Sequence, residues 1–157
     1  MKELSNASPI DVAGTATAEA AAASATHHQL MEAAARAREF SYSPYSNYCV
    51  GAALLAEDGR IFTGCNVENA GYSSTNCAER TAVFKAVSEG ARRFIAIAVV
   101  GGRRGEVSPF CAPCGVCRQV LAEFCPSDAS VILGTPEDFR VYRLDELLPF
   151  AFTGAEL

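Results

Sequence analysis

Apolar residues along the chain fall into blocks of two different periods. Leu30, Met31, Ala34, Ala35 and Ala37 recur at helical spacing, and Thr26 with Gln29 has the spacing of a capping box, so a first helix is predicted from about His27 to Phe40. Val50 to Leu55 is an apolar run, Asp58-Gly59 a tight turn and Arg60 to Gly64 a return strand, which together read as a hairpin. Helical spacing resumes at Ala82, Val83, Ala86 and Val87. With Asn76 as N-cap and Gly90 as terminator, a second helix is predicted from Cys77 to about Glu89. Phe94 to Val100 is apolar throughout, and Ile95, Ile97, Val99 and Val100 favour a strand buried on both faces. Val116, Val120, Leu121 and Phe124 then predict a helix with Cys114 and Cys117 at its start. Ser130 to Leu133 and Phe139 to Tyr142 read as short strands about a turn at 136–138, and Leu144 to Leu148 as a last helix stopped by Pro149. Buried strands alternating with helices imply an α/β fold with a partly parallel sheet covered on both faces.

Composition refines this in three ways. Residues 1–25 are rich in Ala, Ser and Thr and poor in large apolar groups, so they are expected to form a flexible extension ahead of a single domain over 26–157. A chain of 157 residues, half of them hydrophobic, suits one core. A formal net charge of -5 argues against nucleic acid as a partner, since the basic pairs Arg92-Arg93 and Arg103-Arg104 are isolated. No apolar run approaches the roughly 20 residues that span a bilayer, and the Ala-rich start, broken by Thr17, Glu19 and Ser24, lacks the shape of a signal peptide. The expected location is the cytoplasm.

The candidate chemistry lies in the cysteines. Seven of them in a chain of this size, in a reducing compartment, point to metal ligands or buried thiols rather than a disulfide framework. The two histidines, His27 and His28, precede the core pattern, which disfavours Cys-His and Ser-His hydrolases. Cys77, in Asn76-Cys77-Ala78-Glu79-Arg80, and the pair Cys114 and Cys117, in Pro113-Cys114-Gly115-Val116-Cys117, can give Zn²⁺ three thiolates and leave its fourth position open. Both segments fall at helix N-termini, whose partial positive charge favours thiolates. Arg80 could hydrogen-bond to a ligand sulfur. Glu79, two residues beyond a ligand, is placed to move protons for a metal-activated water, the arrangement of the zinc deaminases; its alternative role is a capping-box partner for Asn76. Cys111, Cys114 and Cys117 imitate the front of an iron-sulfur motif, but Leu121 stands where that motif places its next cysteine. A closed structural zinc site with Cys111 or Cys125 as fourth ligand remains open at this level, as does a non-catalytic zinc-stabilised binding module. Cys49, Cys65 and Cys125 read as small buried residues. Asn66 and Glu68 suit a sugar hydroxyl, which both donates and accepts, or else simply end the hairpin.

The chain resembles the small homotetrameric cytidine deaminases from about Leu30 to Phe152. The motifs are Ser43-Pro44-Tyr45-Ser46, Val50-Gly51-Ala52-Ala53-Leu54-Leu55, Gly64-Cys65-Asn66-Val67-Glu68-Asn69-Ala70, Cys77-Ala78-Glu79-Arg80-Thr81, Pro113-Cys114-Gly115-Val116-Cys117-Arg118-Gln119-Val120 and Glu146-Leu147-Leu148-Pro149. The resemblance implies a three-layer α/β/α sandwich with a mixed, roughly five-stranded sheet, and hydrolytic deamination of cytidine and deoxycytidine with release of ammonia. It implies one Zn²⁺ per chain on Cys77, Cys114 and Cys117, Glu79 as proton shuttle and Arg80 at a ligand sulfur. Asn66 and Glu68 would hold the ribose 3'-hydroxyl, the Ala78 amide would meet the base, and Tyr48 would take the ring-packing position. Tyr72 and Phe152 would sit near a neighbouring subunit's pocket in a homotetramer. Tyr48 in place of the usual Phe, Cys49 after it, the loop 101–112 and the extension depart from the family pattern. They leave room for a related aminopyrimidine nucleoside, such as an antibiotic of the blasticidin type, as substrate.

Overall fold

The computed structural model describes residues 18–154 and 157. Five strands make one mixed sheet: β1 (Tyr48–Ala56), β2 (Ile61–Cys65), β3 (Phe94–Arg103), β4 (Ser130–Gly134) and β5 (Phe139–Arg143), in the spatial order β2-β1-β3-β4-β5. Only β3 and β4 run parallel; the other neighbours are antiparallel. Because successive residues of a strand face opposite sides, each strand feeds two cores. Leu54, Ile97, Val99, Val131 and Leu133 face one side, where they pack with Val83 of α2 (Ala78–Ser88) and Leu121 of α3 (Gly115–Phe124). Ala53, Ala98, Val100 and Ile132 face the other, against Leu30 and Met31 of α1 (Ala18–Arg38). A short α4 (Leu144–Leu147) closes the first side through Leu144. These are the three layers that the pattern implied.

Two boundaries differ from the sequence reading. The first helix begins at Ala18, well before His27, because alanine has the highest intrinsic helix propensity and the run before His27 is rich in it. Of the expected extension, residues 1–17 lie outside the described residues. Strand β3 continues through Gly101 and Gly102 to Arg103, where a loop was expected, because Tyr48, Cys49 and Val50 pair with these residues across the ladder.

Strand direction gathers the site. Cys65, at the end of β2, pairs with Gly51, and Arg103, at the end of β3, pairs with Tyr48 at the start of β1. The exits toward α2 and α3 and the loop that enters β1 therefore share one end of the sheet. Helix α2 lies close on β2 at Gly64, where a Cβ would stand 2.5 Å from the Ala78 carbonyl oxygen and 2.5 Å from the Ala82 nitrogen.

Candidate metal centre and surrounding pocket

Helix α2 is capped by Cys77 and α3 by Cys114, each with extended backbone and no side-chain cap hydrogen bond. Cys117 lies within the first turn of α3 and is buried. The three sulfurs lie within 4.8 Å of one another, with Cys77 Sγ 3.9 Å from Cys114 Sγ and Cys114 Sγ 3.5 Å from Cys117 Sγ. Thiolates at about 2.3 Å from one tetrahedral Zn²⁺ stand roughly 3.8 Å apart, so the cluster has the right size for this ion. No fourth candidate ligand joins it among the described residues. Cys125 packs into the core beside α3, and Cys111 packs against Gly101, next to the Tyr48 ring. The closed, four-ligand alternative therefore disagrees with the geometry, and the set is open.

Electrostatics fit a cation at this point. A hydrogen bond from Cys117, aided by the Arg80 guanidinium, holds the Cys77 thiol down to about 5. The same bond to Cys77, together with burial, pushes Cys117 up. The protein groups alone thus favour the thiolate at Cys77 over that at Cys117, and a divalent cation would favour thiolates at its ligands. Arg80 Nη2 donates to Cys77 Sγ at 3.5 Å and to the Thr75 carbonyl at 3.3 Å. Its Nε is buried with no hydrogen-bond partner among the described residues. A guanidinium held against the sulfurs suits a three-thiolate centre, which carries net negative charge once Zn²⁺ is bound.

Glu79 is 4% exposed, and burial pushes its carboxyl up to about 7, with the Cys77 thiolate acting in the same direction. The capping-box reading of Glu79 fails, because Asn76 does not cap the helix. Its backbone pairs both ways with Val67, N–H to carbonyl at 3.0 Å and carbonyl to N–H at 2.9 Å, and its amide donates to Thr81 Oγ1 at 3.0 Å. A buried carboxylate, outside any capping box with Asn76, lies two residues from a candidate ligand.

The bridge from Asn76 to Val67 also brings the Asn66-Val67-Glu68 segment alongside the entry to α2. On its other side this segment pairs with Tyr42. Asn66 Oδ1 accepts from Val50 N–H at 2.8 Å and from Ser41 Oγ at 2.6 Å, while Nδ2 donates to the Tyr48 carbonyl at 2.9 Å. Glu68 Oε2 accepts from the backbone N–H groups of Tyr45 at 2.8 Å and Ser46 at 3.2 Å. Hydrogen bonds from Ser46 and Tyr45 hold its carboxyl below the usual range. Glu68, Tyr45, Ser46, Tyr72 and Thr75 line a cavity of about 380 Å³, in which the Tyr45 and Tyr72 rings meet edge to face at 6.1 Å.

The remaining predicted residues are distributed as follows. Ala78 is fully buried at the first position of α2, where a backbone N–H has no partner within the helix. Tyr48 starts β1 with its ring beside Cys111, and burial raises its hydroxyl pKa. Phe152 is exposed on the C-terminal segment, where its carbonyl accepts from Gln119 Nε2 at 2.7 Å. Within one chain it does not line the Glu68 cavity. Three contributors were not legible in the sequence. Ser41 binds the Asn66 amide. Arg38 donates to the carbonyls of Cys49, Gly102, Arg103 and Glu106, pinning the loop after β3 to α1. Arg118 ties the Pro113 carbonyl to that of Leu147, at 2.8 Å each, and so holds the loop that carries Cys114. None of the three carries a signal in periodicity or motif spacing that reveals these partners.

Fold and ligand set together define an α/β protein with an open three-thiol metal centre. Residues 24–134 match the family model described as the cytidine and deoxycytidylate deaminase zinc-binding region. A cytidine deaminase of Halalkalibacterium halodurans is 52% identical over 129 residues, covering 82% of this chain and 95% of its own length. One from Sporosarcina psychrophila is 53% identical over 130 residues, covering 82% and 93%. The crystal structure of cytidine deaminase from Burkholderia pseudomallei superposes with a TM-score of 0.73 at 53% identity, covering 80% of this chain and 98% of that one. The chain belongs to the zinc-binding cytidine and deoxycytidylate deaminase family.

Proposed function

We propose that the protein hydrolyses cytidine and deoxycytidine to uridine and deoxyuridine, releasing ammonia. The observation that carries this reading is the buried carboxylate of Glu79 beside an open cluster of Cys77, Cys114 and Cys117 at the N-termini of two helices. Cys77, Cys114 and Cys117 would hold Zn²⁺, which when bound would supply a nucleophile at neutral pH by lowering the pKa of water to about 7. Glu79 carries the two protons of the attacking water in turn, one to N3 of the base and one to the departing amine; the water oxygen ends on C4 as the carbonyl and the nitrogen leaves as ammonia. Arg80 lends positive charge to the ligand sulfurs. The Ala78 N–H meets the base, Tyr48 packs on its ring, and Asn66 with Glu68 holds the 3'-hydroxyl of the sugar.

A homotetramer completes this reading, with Phe152 reaching the pocket of a neighbouring subunit and Tyr72, which lines the Glu68 cavity of its own chain, near a neighbour's; both rings are largely exposed on the single chain. A reducing, cytoplasmic setting is supported by seven cysteines that all stand as free thiols. No helix among the described residues is long and apolar enough to cross a membrane.

The test is conversion of cytidine absorbance to that of uridine, with metal content measured on the same sample. Glu79→Gln is expected to retain about one zinc per chain and to lose at least about 10²-fold in turnover, the lower range for removing a general acid-base. A fully active Glu79→Gln protein refutes the assignment.

A further inference from the structure

We propose that Ser41 is a positioning residue for the sugar end of the pocket, holding the Asn66 amide so that it presents only an N–H to the substrate. This rests on the nucleoside reading above. Val50 N–H can only donate and the Tyr48 carbonyl can only accept, so their bonds at 2.8 Å and 2.9 Å fix which end of the amide is oxygen. The Ser41 hydroxyl then donates to the same Oδ1 at 2.6 Å and occupies its second lone pair. Of the amide's hydrogen-bonding capacity, one N–H is left for a ligand. Glu68, two residues on, can only accept when ionised. A group that accepts from Asn66 and donates to Glu68 fits a hydroxyl, and the chemistry of the pair therefore selects a free sugar hydroxyl over an ether or an ester, which cannot donate, and over an ammonium group, which cannot accept.

Ser41 is well placed for this task. It is 8% exposed and lies just beyond the end of α1, where its N–H donates to the Arg38 carbonyl at 3.1 Å. The next residue, Tyr42, receives the Glu68 N–H at 2.8 Å and donates to the Asn66 carbonyl at 3.1 Å, so hydroxyl, amide and carboxylate belong to one hydrogen-bonded unit. Behind Ser41, Ser43 Oγ lies 3.3 Å away as a second acceptor for the same hydroxyl and itself accepts from Arg104 Nη2 at 3.3 Å; the bond to Asn66 Oδ1 is the shorter of the two that the single hydroxyl proton can make. Without Ser41, one face of Oδ1 loses its donor in a buried setting, and the amide can twist about its Cβ–Cγ bond while keeping the Val50 contact. The N–H meant for the sugar then wanders.

The experiment compares cytidine with 3'-deoxycytidine in the wild-type, Ser41→Ala and Ser41→Thr enzymes at matched zinc content. Ser41→Ala is expected to raise KM for cytidine about fivefold, the equivalent of one neutral hydrogen bond, with kcat within about twofold. Its KM for 3'-deoxycytidine should be unchanged, and Ser41→Thr, which keeps the hydroxyl, should restore the wild-type preference. A merely structural role would weaken both substrates alike and leave their ratio intact. Equal losses on the two substrates, or no recovery in Ser41→Thr, overturn the role of Ser41 alone. A wild-type enzyme that does not discriminate between the substrates overturns the sugar assignment of Asn66 and Glu68, and this inference with it.

Discussion

Gly64→Ala is the substitution that tests most directly how the sheet places the metal centre. The added methyl would stand 2.5 Å from the Ala78 carbonyl oxygen, 2.5 Å from the Ala82 nitrogen and 2.9 Å from Thr81 Cβ. Two of these are backbone atoms of the first turns of α2, so no flexible side chain can move aside. Favourable contact begins at roughly 3.5 Å, and α2 must withdraw from β2 by about 0.5–1 Å to reach it. Overpacking of this kind costs about 1–3 kcal/mol, which in a domain of this size lowers Tm by roughly 3–12 °C. The same movement carries Cys77 and Glu79 away from Cys114 and Cys117, which stand on α3. Catalytic constellations tolerate about 0.5 Å, and a displacement near 1 Å can cost about 10²-fold. The expected result is therefore a fall in kcat/KM of roughly 10- to 100-fold in protein that is still folded at the assay temperature. Thermal unfolding and steady-state kinetics on zinc-matched samples read the two effects separately. Gly115→Ala is the control for stability, because a Cβ there meets nothing within 4 Å. A Gly64→Ala enzyme with wild-type Tm and wild-type kcat/KM would refute the claim that this contact sets the position of α2.

Two further predictions concern metal and assembly. In zinc-loaded protein Cys77 and Cys114 should resist alkylation by iodoacetamide; after chelation both should label, Cys114 through its exposure and Cys77 through its thiolate, while buried Cys117 lags, as read by peptide mass spectrometry. Labelling of Cys114 at the same rate before and after chelation would argue that it is no ligand. Light scattering coupled to size-exclusion chromatography should return four times the 16.6 kDa chain mass, and Phe152→Ala should lower kcat/KM for cytidine without changing zinc content. A fully active monomer would remove the neighbouring subunit from the pocket.

Much of the fold was legible because the relevant signals are local. The strand at Phe94 announces itself by an unbroken apolar run and the helix at Val116 by its period, and both appear where the pattern puts them. Element ends were harder. Gly101 and Gly102 have turn-forming composition yet complete β3, because the ladder with Cys49 and Val50 decides their conformation. Asn76 has N-cap chemistry yet caps nothing, because Val67 takes both of its backbone groups and moves the cap to Cys77. In each case a partner distant in sequence overrode a local preference, and no local rule names that partner.

The sequence by itself determined the main elements and named the candidate chemistry: Cys-x-Glu and Cys-x-x-Cys mark three candidate metal ligands and the carboxylate two residues from one of them, while the fourth ligand stayed open. Spacing within one turn of helix is a local property, so it survives without a fold. Tertiary structure alone decided that Cys111 turns away to Gly101, that Glu79 is buried and Cys77 rather than Asn76 caps its helix, and that Ser41, Val50 and Tyr48 hold the Asn66 amide from three sides. Those outcomes depend on which strand ends share an edge of the sheet. That arrangement is fixed by the burial of two cores at once, and no stretch of the chain contains it.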